Sequence, residues 1–185
     1  MIYNRLVTQP DVSVWFIAVG PLTNLAKLLL NHPDVERKIC GISIMGGGVG
    51  AGFTDAPMHR PDGPGNWSRW AEFNIYCDPE AAVVVLQHPI LAERTVLTTL
   101  DLTHGCRATE DVFKQLFPAG PSTRVRRMML EVMAYFRDSY RKHSFGTNDG
   151  PPLHDAVAVF AILDSEANIK EGGSERYAIK VVTEV

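Results

Sequence analysis

Short apolar runs alternate along the chain with segments in which apolar residues recur at helical spacing. The run VSVWFIAV, residues 12–19, is rich in β-branched and aromatic side chains and ends at a Gly-Pro pair, as a buried strand does. The following LTNLAKLLL, residues 22–30, has the spacing of an amphipathic helix. Two further apolar runs predict a second and a third strand: ICGISIM at residues 39–45, and RTVLTTL at residues 94–100, which leads to Asp101.

The rest of the chain predicts mainly helices. Asp78 stands directly before a proline, where a helix N-cap is expected, and Thr109 can cap a short helix. Residues 122–142 form a long amphipathic pattern, and HDAVAVFAIL, residues 154–163, predicts another helix. The last segment, YAIKVVTEV at residues 177–185, predicts a final strand. Strands that alternate with helices indicate an α/β fold with a doubly wound, mostly parallel sheet.

The predicted topology indicates where a ligand would bind. In doubly wound sheets, ligands collect at the carboxyl ends of the strands. This rule brings Val19, Met45 and Asp101 together at one edge of the predicted sheet. A polar segment of roughly 25 residues, rich in glycine and proline, follows Met45, and loops of such length in a compact domain are usually functional or mobile. The edge of the sheet and this loop are therefore the candidate site.

Composition and charge narrow the class of protein. The chain has 185 residues, 45% of them hydrophobic and 21% charged, which is typical of one soluble globular domain. The net charge is -3 and no basic run with interleaved aromatic residues occurs, which argues against a nucleic-acid binder. Three cysteines without CxxC spacing argue against a disulfide framework and a zinc site. Because neither a secretory leader nor an apolar run of membrane length is found, we expect a cytoplasmic protein.

Two motifs lie near the predicted strand ends. The sequence GGGVGA formally fits a dinucleotide fingerprint, but about twenty polar residues follow it instead of a helix, so we interpret it as a turn or a close backbone approach. Glu72 and Asn74 are two residues apart, and on an extended segment both side chains would point the same way. A carboxylate and an amide together suit sugar hydroxyls. Taken alone, a solvated strand edge explains this pair better.

Two histidine motifs follow. In LDLTH, residues 100–104, we interpret Asp101 and His104 as a strand end held by local hydrogen bonds. His154 and Asp155 stand side by side at a predicted helix start. The helix dipole favours an aspartate there, so capping alone explains Asp155, whereas the histidine has less structural reason. No G-x-S-x-G, H-E-x-x-H or P-loop sequence accompanies the pair, which excludes the usual hydrolase motifs.

Five segments taken together are more specific than any one of them. In order and spacing they resemble the inosine-uridine preferring nucleoside hydrolases, over most of the chain. The segments are AVGPLTNLA at residues 18–26, IMGGG at 44–48, GNWSRWAEFNIYCDPEAA at 65–82, LDLTH at 100–104 and HDAVAV at 154–159. The resemblance implies a nucleoside hydrolase fold, and hydrolysis of the N-glycosidic bond of ribonucleosides to free base and ribose, as in nucleoside salvage.

The same resemblance implies roles for seven residues. Calcium would be held by Asp155 and by the backbone carbonyl of Val19, and His154 would protonate the departing base. Ribose would be held by the remaining four residues, which are Met45, Asn66, Glu72 and Asn74. These residue types suit the chemistry, because calcium takes hard oxygen ligands and carboxylates and amides match ribose hydroxyls and an oxocarbenium-like transition state. The resemblance also implies a homo-oligomer with a ribonucleoside as its ligand.

One departure from the family pattern is plain. The family carries an aspartate cluster of the form D-x-D-x-x-x-D-D, which supplies most calcium ligands and the general base, and this sequence contains no such cluster. We therefore expect residues 1–185 to be a single partial domain, truncated at its N-terminus, that binds calcium weakly if at all. The alternative to an active hydrolase is a catalytically inactive remnant that retains a ribose-binding or oligomerisation surface.

Overall fold

A computed structural model describes residues 1–55, 62–116, 123–143, 150–168 and 176–183. Within these residues, one sheet of three parallel strands has the order β1-β2-β3. The strands are β1 (Val14–Ala18), β2 (Ile39–Met45) and β3 (Thr95–Thr98). Ala18 is paired with Ile44, and Met45 with Thr98, so all three strands end at the same edge of the sheet.

Eight α-helices surround this sheet in the described part of the chain. They are α1 (Ile2–Leu6), α2 (Thr23–Asn31), α3 (Phe73–Cys77), α4 (Pro79–Leu86), α5 (Leu100–Thr103), α6 (Glu110–Leu116), α7 (Arg124–His143) and α8 (His154–Asn168). Two 3-10 helices, Pro33–Lys38 and Leu91–Arg94, lead directly into β2 and β3. The alternation of strands and helices confirms the predicted α/β fold with a parallel sheet.

The central strand β2 is buried on both faces, as its continuous apolar sequence predicts. Ile42 and Ile44 face a large apolar core built with leucines of α2 and with α4. Ser43 faces the opposite side, where its hydroxyl donates a 2.7 Å hydrogen bond to the carbonyl oxygen of Ala158 in α8. Nδ1 of His154, the first residue of α8, lies 2.8 Å from the hydroxyl of Thr103 in α5, just after β3, so α8 begins near the edge of the sheet where the strands end.

Most predicted elements are found close to their predicted bounds. The strand predicted for residues 39–45 is confirmed in full, and the N-cap at Asp78 is confirmed by a 3.0 Å bond from the Ala81 amide. The third strand is shorter than predicted, because the chain turns into α5 at Leu100. The first strand begins at Val14 rather than residue 12.

One predicted element is wrong. Residues 176–183 form no strand, although the sequence YAIKVVTEV favours one; residues 184 and 185 lie outside the described part. The amide of Val181 donates a 2.9 Å bond to the side chain of Gln87, just after α4, and not to a neighbouring strand. A strand requires a partner for its backbone groups, and the described residues 176–183 are not paired with any strand of the sheet. No described helix has both the length and the apolar character of a membrane span.

Candidate functional site

Glu72 is a buried carboxylate beside the end of β2, with only 3% of the residue exposed. Its Oε2 accepts three backbone N–H bonds, from Gly47 at 3.0 Å, Asn74 at 3.0 Å and Ile75 at 3.2 Å. Among the described residues, no hydrogen bond engages the second oxygen, Oε1. One oxygen of Glu72 therefore holds backbone in place, and the other remains an acceptor.

The Glu72-Asn74 pair lies at a helix start and not on an extended segment, so the predicted geometry of this pair is wrong. Glu72 is the N-cap of α3, and Asn74 is the second residue of that helix. The two residues nevertheless meet at β2. The Asn74 Nδ2 donates to the Met45 carbonyl oxygen at 3.0 Å and also approaches the Met45 sulfur at 3.5 Å. These bonds bring Met45, Glu72 and Asn74 together.

Asn66 joins the same group through the start of α3. Its Oδ1 accepts a 2.8 Å bond from the amide of Phe73, the residue between Glu72 and Asn74. The side chain is half-buried. The four residues predicted to hold ribose therefore form one connected group beside the carboxyl end of β2.

The glycine-rich segment after β2 is held by a carboxylate that the sequence did not assign to it. Asp101 is 3% exposed, and its two oxygens accept bonds from the amides of Val49 at 2.7 Å and Gly50 at 2.8 Å. Its partners are thus about fifty residues away in sequence, whereas a local strand-end role was predicted. Because an internal carboxylate already binds these N–H groups, they are not available to a phosphate, which argues further against a dinucleotide site.

His154 is the first residue of α8 and is half-buried. Its Nδ1 lies 2.8 Å from the hydroxyl oxygen of Thr103, which is fully buried at the end of α5. The ring of His104 packs edge-on against the His154 ring, with centroids 5.5 Å apart. The hydroxyl and the second ring fix the imidazole at the edge where β2 and β3 end.

The two predicted calcium ligands differ in their surroundings. Asp155 is exposed, and the partial burial that its carboxyl does have raises its pKa above the ordinary value. Val19 directly follows β1 and is 41% exposed. In the described parts of the chain, no group of three or more histidine, cysteine, aspartate or glutamate side chains is placed to hold a metal. Since calcium takes six to eight oxygen ligands, these residues do not form a complete calcium site.

A family model described as inosine-uridine preferring nucleoside hydrolase matches residues 1–185, the whole chain. The chain belongs to the inosine-uridine preferring nucleoside hydrolase family. The predicted resemblance is thereby confirmed.

Curated proteins similar to this nucleoside hydrolase chain are about twice as long. A pyrimidine-specific ribonucleoside hydrolase, RihA, from Citrobacter koseri is 36% identical over 163 residues, which cover 88% of the chain and 46% of that relative. A uridine nucleosidase from Saccharomyces cerevisiae is 31% identical over 80% of the chain and 41% of its own length. The chain therefore spans about half the length of the curated relatives it matches.

Solved structures support the nucleoside hydrolase fold. A purine-preferring ribonucleoside hydrolase from Gardnerella vaginalis has a TM-score of 0.69 at 23% identity, covering 89% of this chain and 46% of its own. An inosine-guanosine nucleoside hydrolase has a TM-score of 0.63 at 27% identity, covering 90% of this chain and 47% of its own. The sheet and helices described above therefore have the nucleoside hydrolase architecture over about half its length.

Proposed function

We propose that this chain hydrolyses the N-glycosidic bond of ribonucleosides, releasing free base and ribose. The observation that carries the proposal is the connected group of Met45, Asn66, Glu72 and Asn74 at the carboxyl end of β2, on the edge of the sheet near which α8 begins with His154. In doubly wound sheets this edge is where ligands bind.

The hydrogen bonds within the group leave specific atoms for a sugar. The Oε2 of Glu72, the Nδ2 of Asn74 and the Oδ1 of Asn66 already bind backbone groups. The opposite atoms of these side chains, Oε1, Oδ1 and Nδ2, are two acceptors and one donor. Ribose hydroxyls both donate and accept hydrogen bonds, so this set matches them. We propose that these three atoms hold the ribose, with Met45 packed against it.

We assign His154 the role of the general acid. The Thr103 hydroxyl lies 2.8 Å from Nδ1 of the imidazole and holds the ring at the edge of the sheet where the departing base would receive a proton. Protonation of the base lowers the barrier to cleavage, because the transition state for glycoside hydrolysis resembles an oxocarbenium ion with a leaving group that carries negative charge. A positioned general acid contributes about 10² to 10⁴ in rate.

Calcium is the metal that the family resemblance implies. We propose Asp155 and the Val19 carbonyl as two of its oxygen ligands. Two protein oxygens are too few for the roughly six to eight that calcium takes, so we expect this chain alone to bind calcium weakly.

Release of ribose tests the proposal directly. The purified chain is incubated with inosine or uridine in excess calcium, and free ribose is measured as reducing sugar. We expect release by the unsubstituted chain and a loss of about 10² to 10⁴ in rate for His154→Ala. His88→Ala is the matched control, because His88 binds backbone amides before β3 and lies outside the candidate site.

The inactive-remnant alternative gives a different result in the same assay. A chain that binds ribonucleosides but releases no ribose from either substrate would contradict the proposed hydrolysis and support the remnant. If His154→Ala and His88→Ala release ribose at the same rate, the role assigned to His154 is wrong.

A further inference from the structure

We propose that Asp101 is a positioning residue for the ribose site. It fixes the segment of residues 46–50, named here the glycine loop, and through this loop it holds Glu72 in the orientation that receives a ribose hydroxyl. The inference rests on the proposed function, because it assigns a residue outside the ribose-binding group to the geometry of that group.

Asp101 holds the glycine loop by hydrogen bonds. Both carboxylate oxygens are used, one for Val49 N at 2.7 Å and one for Gly50 N at 2.8 Å. Hydrogen bonds to a charged acceptor are about twice as strong as neutral ones, and burial makes an unpaired carboxylate costly. The backbone oxygen of Asp101 also accepts a 3.0 Å bond from the hydroxyl of Thr54, just beyond the loop. Asp101 and these loop amides therefore hold one another in place.

Gly47 connects the glycine loop to Glu72. Gly47 donates its N–H to Glu72 Oε2 at 3.0 Å, and its carbonyl oxygen accepts a 2.9 Å bond from the amide of Leu100, the neighbour of Asp101. Gly47 is only two residues before Val49. A shift of the loop away from Asp101 consequently moves the amide that orients the Glu72 carboxylate.

The backbone of the glycine loop needs hydrogen bonds from outside the loop to keep one conformation. Gly47 and Gly50 have positive φ angles of 77° and 67°, which L side chains rarely adopt. Glycine permits this path but leaves the backbone with the most conformational freedom of any residue. The one side chain of the loop, that of Val49, is 50% exposed, so packing of the loop's own side chains contributes little and hydrogen bonds to the backbone hold the loop. Asp101 supplies two of these bonds.

The substitution Asp101→Asn tests the proposal. The amide keeps one oxygen but turns an NH₂ donor toward a backbone N–H, so one of the two bonds is lost. We expect hydrogen exchange at the amides of Gly47, Val49 and Gly50 to become faster by about tenfold or more. We also expect KM for inosine to rise by about tenfold with a smaller change in kcat, because the substitution acts on the ribose-binding side chains and retains the Thr103 hydroxyl that contacts His154.

Asp78→Asn is the matched control. Asp78 also accepts a backbone N–H, from Ala81, and a hydroxyl bond from Thr23, but it caps α4 and makes no hydrogen bond to the glycine loop. It can lower stability without changing loop exchange or KM. If Asp78→Asn accelerates exchange in the loop as much as Asp101→Asn does, the effect is general destabilisation and the proposal is overturned.

A second variant keeps the test decisive if Asp101→Asn does not fold. Gly50→Ala leaves the carboxylate intact but adds a Cβ 3.0 Å from the Pro64 Cβ, at a positive φ angle. It should produce the same rise in exchange at Gly47 and the same rise in KM. The coupling to Glu72 is overturned if Gly47 exchanges at the wild-type rate in every variant that folds, even when Val49 and Gly50 exchange faster.

Failure of the proposed function has a separate signature. If the unsubstituted chain neither binds nor hydrolyses inosine, the proposed function is contradicted. Exchange at Gly47 in Asp101→Asn still decides whether the loop and Glu72 are coupled, because that measurement needs no substrate.

Discussion

Removal of the Glu72 side chain should destabilise the protein strongly, because this carboxylate binds three backbone amides while being almost fully buried. Two of these amides, from Asn74 and Ile75, belong to the first turn of α3, and the third belongs to Gly47. In Glu72→Ala all three donors lose their acceptor at once.

The magnitude follows from two separate losses. Loss of an N-cap costs about 0.5–2 kcal/mol of the free energy of unfolding. The N–H of Gly47, a half-buried residue, also loses its acceptor, which costs at most the roughly 1–3 kcal/mol of a buried unpaired N–H. Together we expect Glu72→Ala to lower the free energy of unfolding by roughly 2–4 kcal/mol. Glu72→Gln keeps an oxygen in place and loses only the charge, so we expect about 1 kcal/mol.

Urea denaturation followed by circular dichroism measures these differences, provided that the slope of the transition is unchanged. Glu80→Ala is the control, since Glu80 is an exposed acid in the first turn of α4, where such substitutions change stability by within about 0.5 kcal/mol. If Glu72→Ala costs no more than Glu80→Ala, the three bonds do not hold the loop and helix as described.

Three further outcomes are expected. Gly41→Ala should cost about 1–3 kcal/mol of stability in urea denaturation, because its Cβ would overlap the Trp15 ring. Gly20→Ala should not destabilise by overpacking, since a Cβ there would meet no described atom within 4 Å beyond its chain neighbours. Thr103→Val should slow ribose release about tenfold, because Nδ1 of His154 loses the hydroxyl that lies 2.8 Å from it, and Thr103→Ser should restore the rate. Equal rates in both variants would contradict this role. Calcium titrated into the chain by calorimetry should bind more weakly than micromolar, and micromolar affinity would refute that expectation.

The sequence predicts those parts of the fold that local pattern controls. The continuous apolar run of β2 gives its bounds directly, and the Asp-Pro pair gives the start of α4. The terminal strand was predicted because YAIKVVTEV is rich in β-branched residues. Composition alone cannot provide the neighbouring strand that such a segment needs, and residues 176–183 have none.

The sequence names residues for the candidate site but does not predict their geometry. Glu72 and Asn74 fit an extended pattern two residues apart, but Glu72 caps a helix whose start also depends on the distant amide of Gly47. The partners of Asp101 are 51 and 52 residues away, and no local spacing indicates them. Contacts made across two elements of a fold are decided by packing, so the sequence names these residues without showing what they hold.

Titration of the isotope-labelled chain with inosine in excess calcium tests the central claim most directly. Backbone amide shifts report where the ribonucleoside binds. We predict that the largest shifts fall on Gly47, Asn74 and Ile75, the three amides bound to Glu72, and that Glu72→Gln strongly reduces them. Absence of any shift, or shifts confined to residues away from the carboxyl end of the sheet, would contradict a ribose site there.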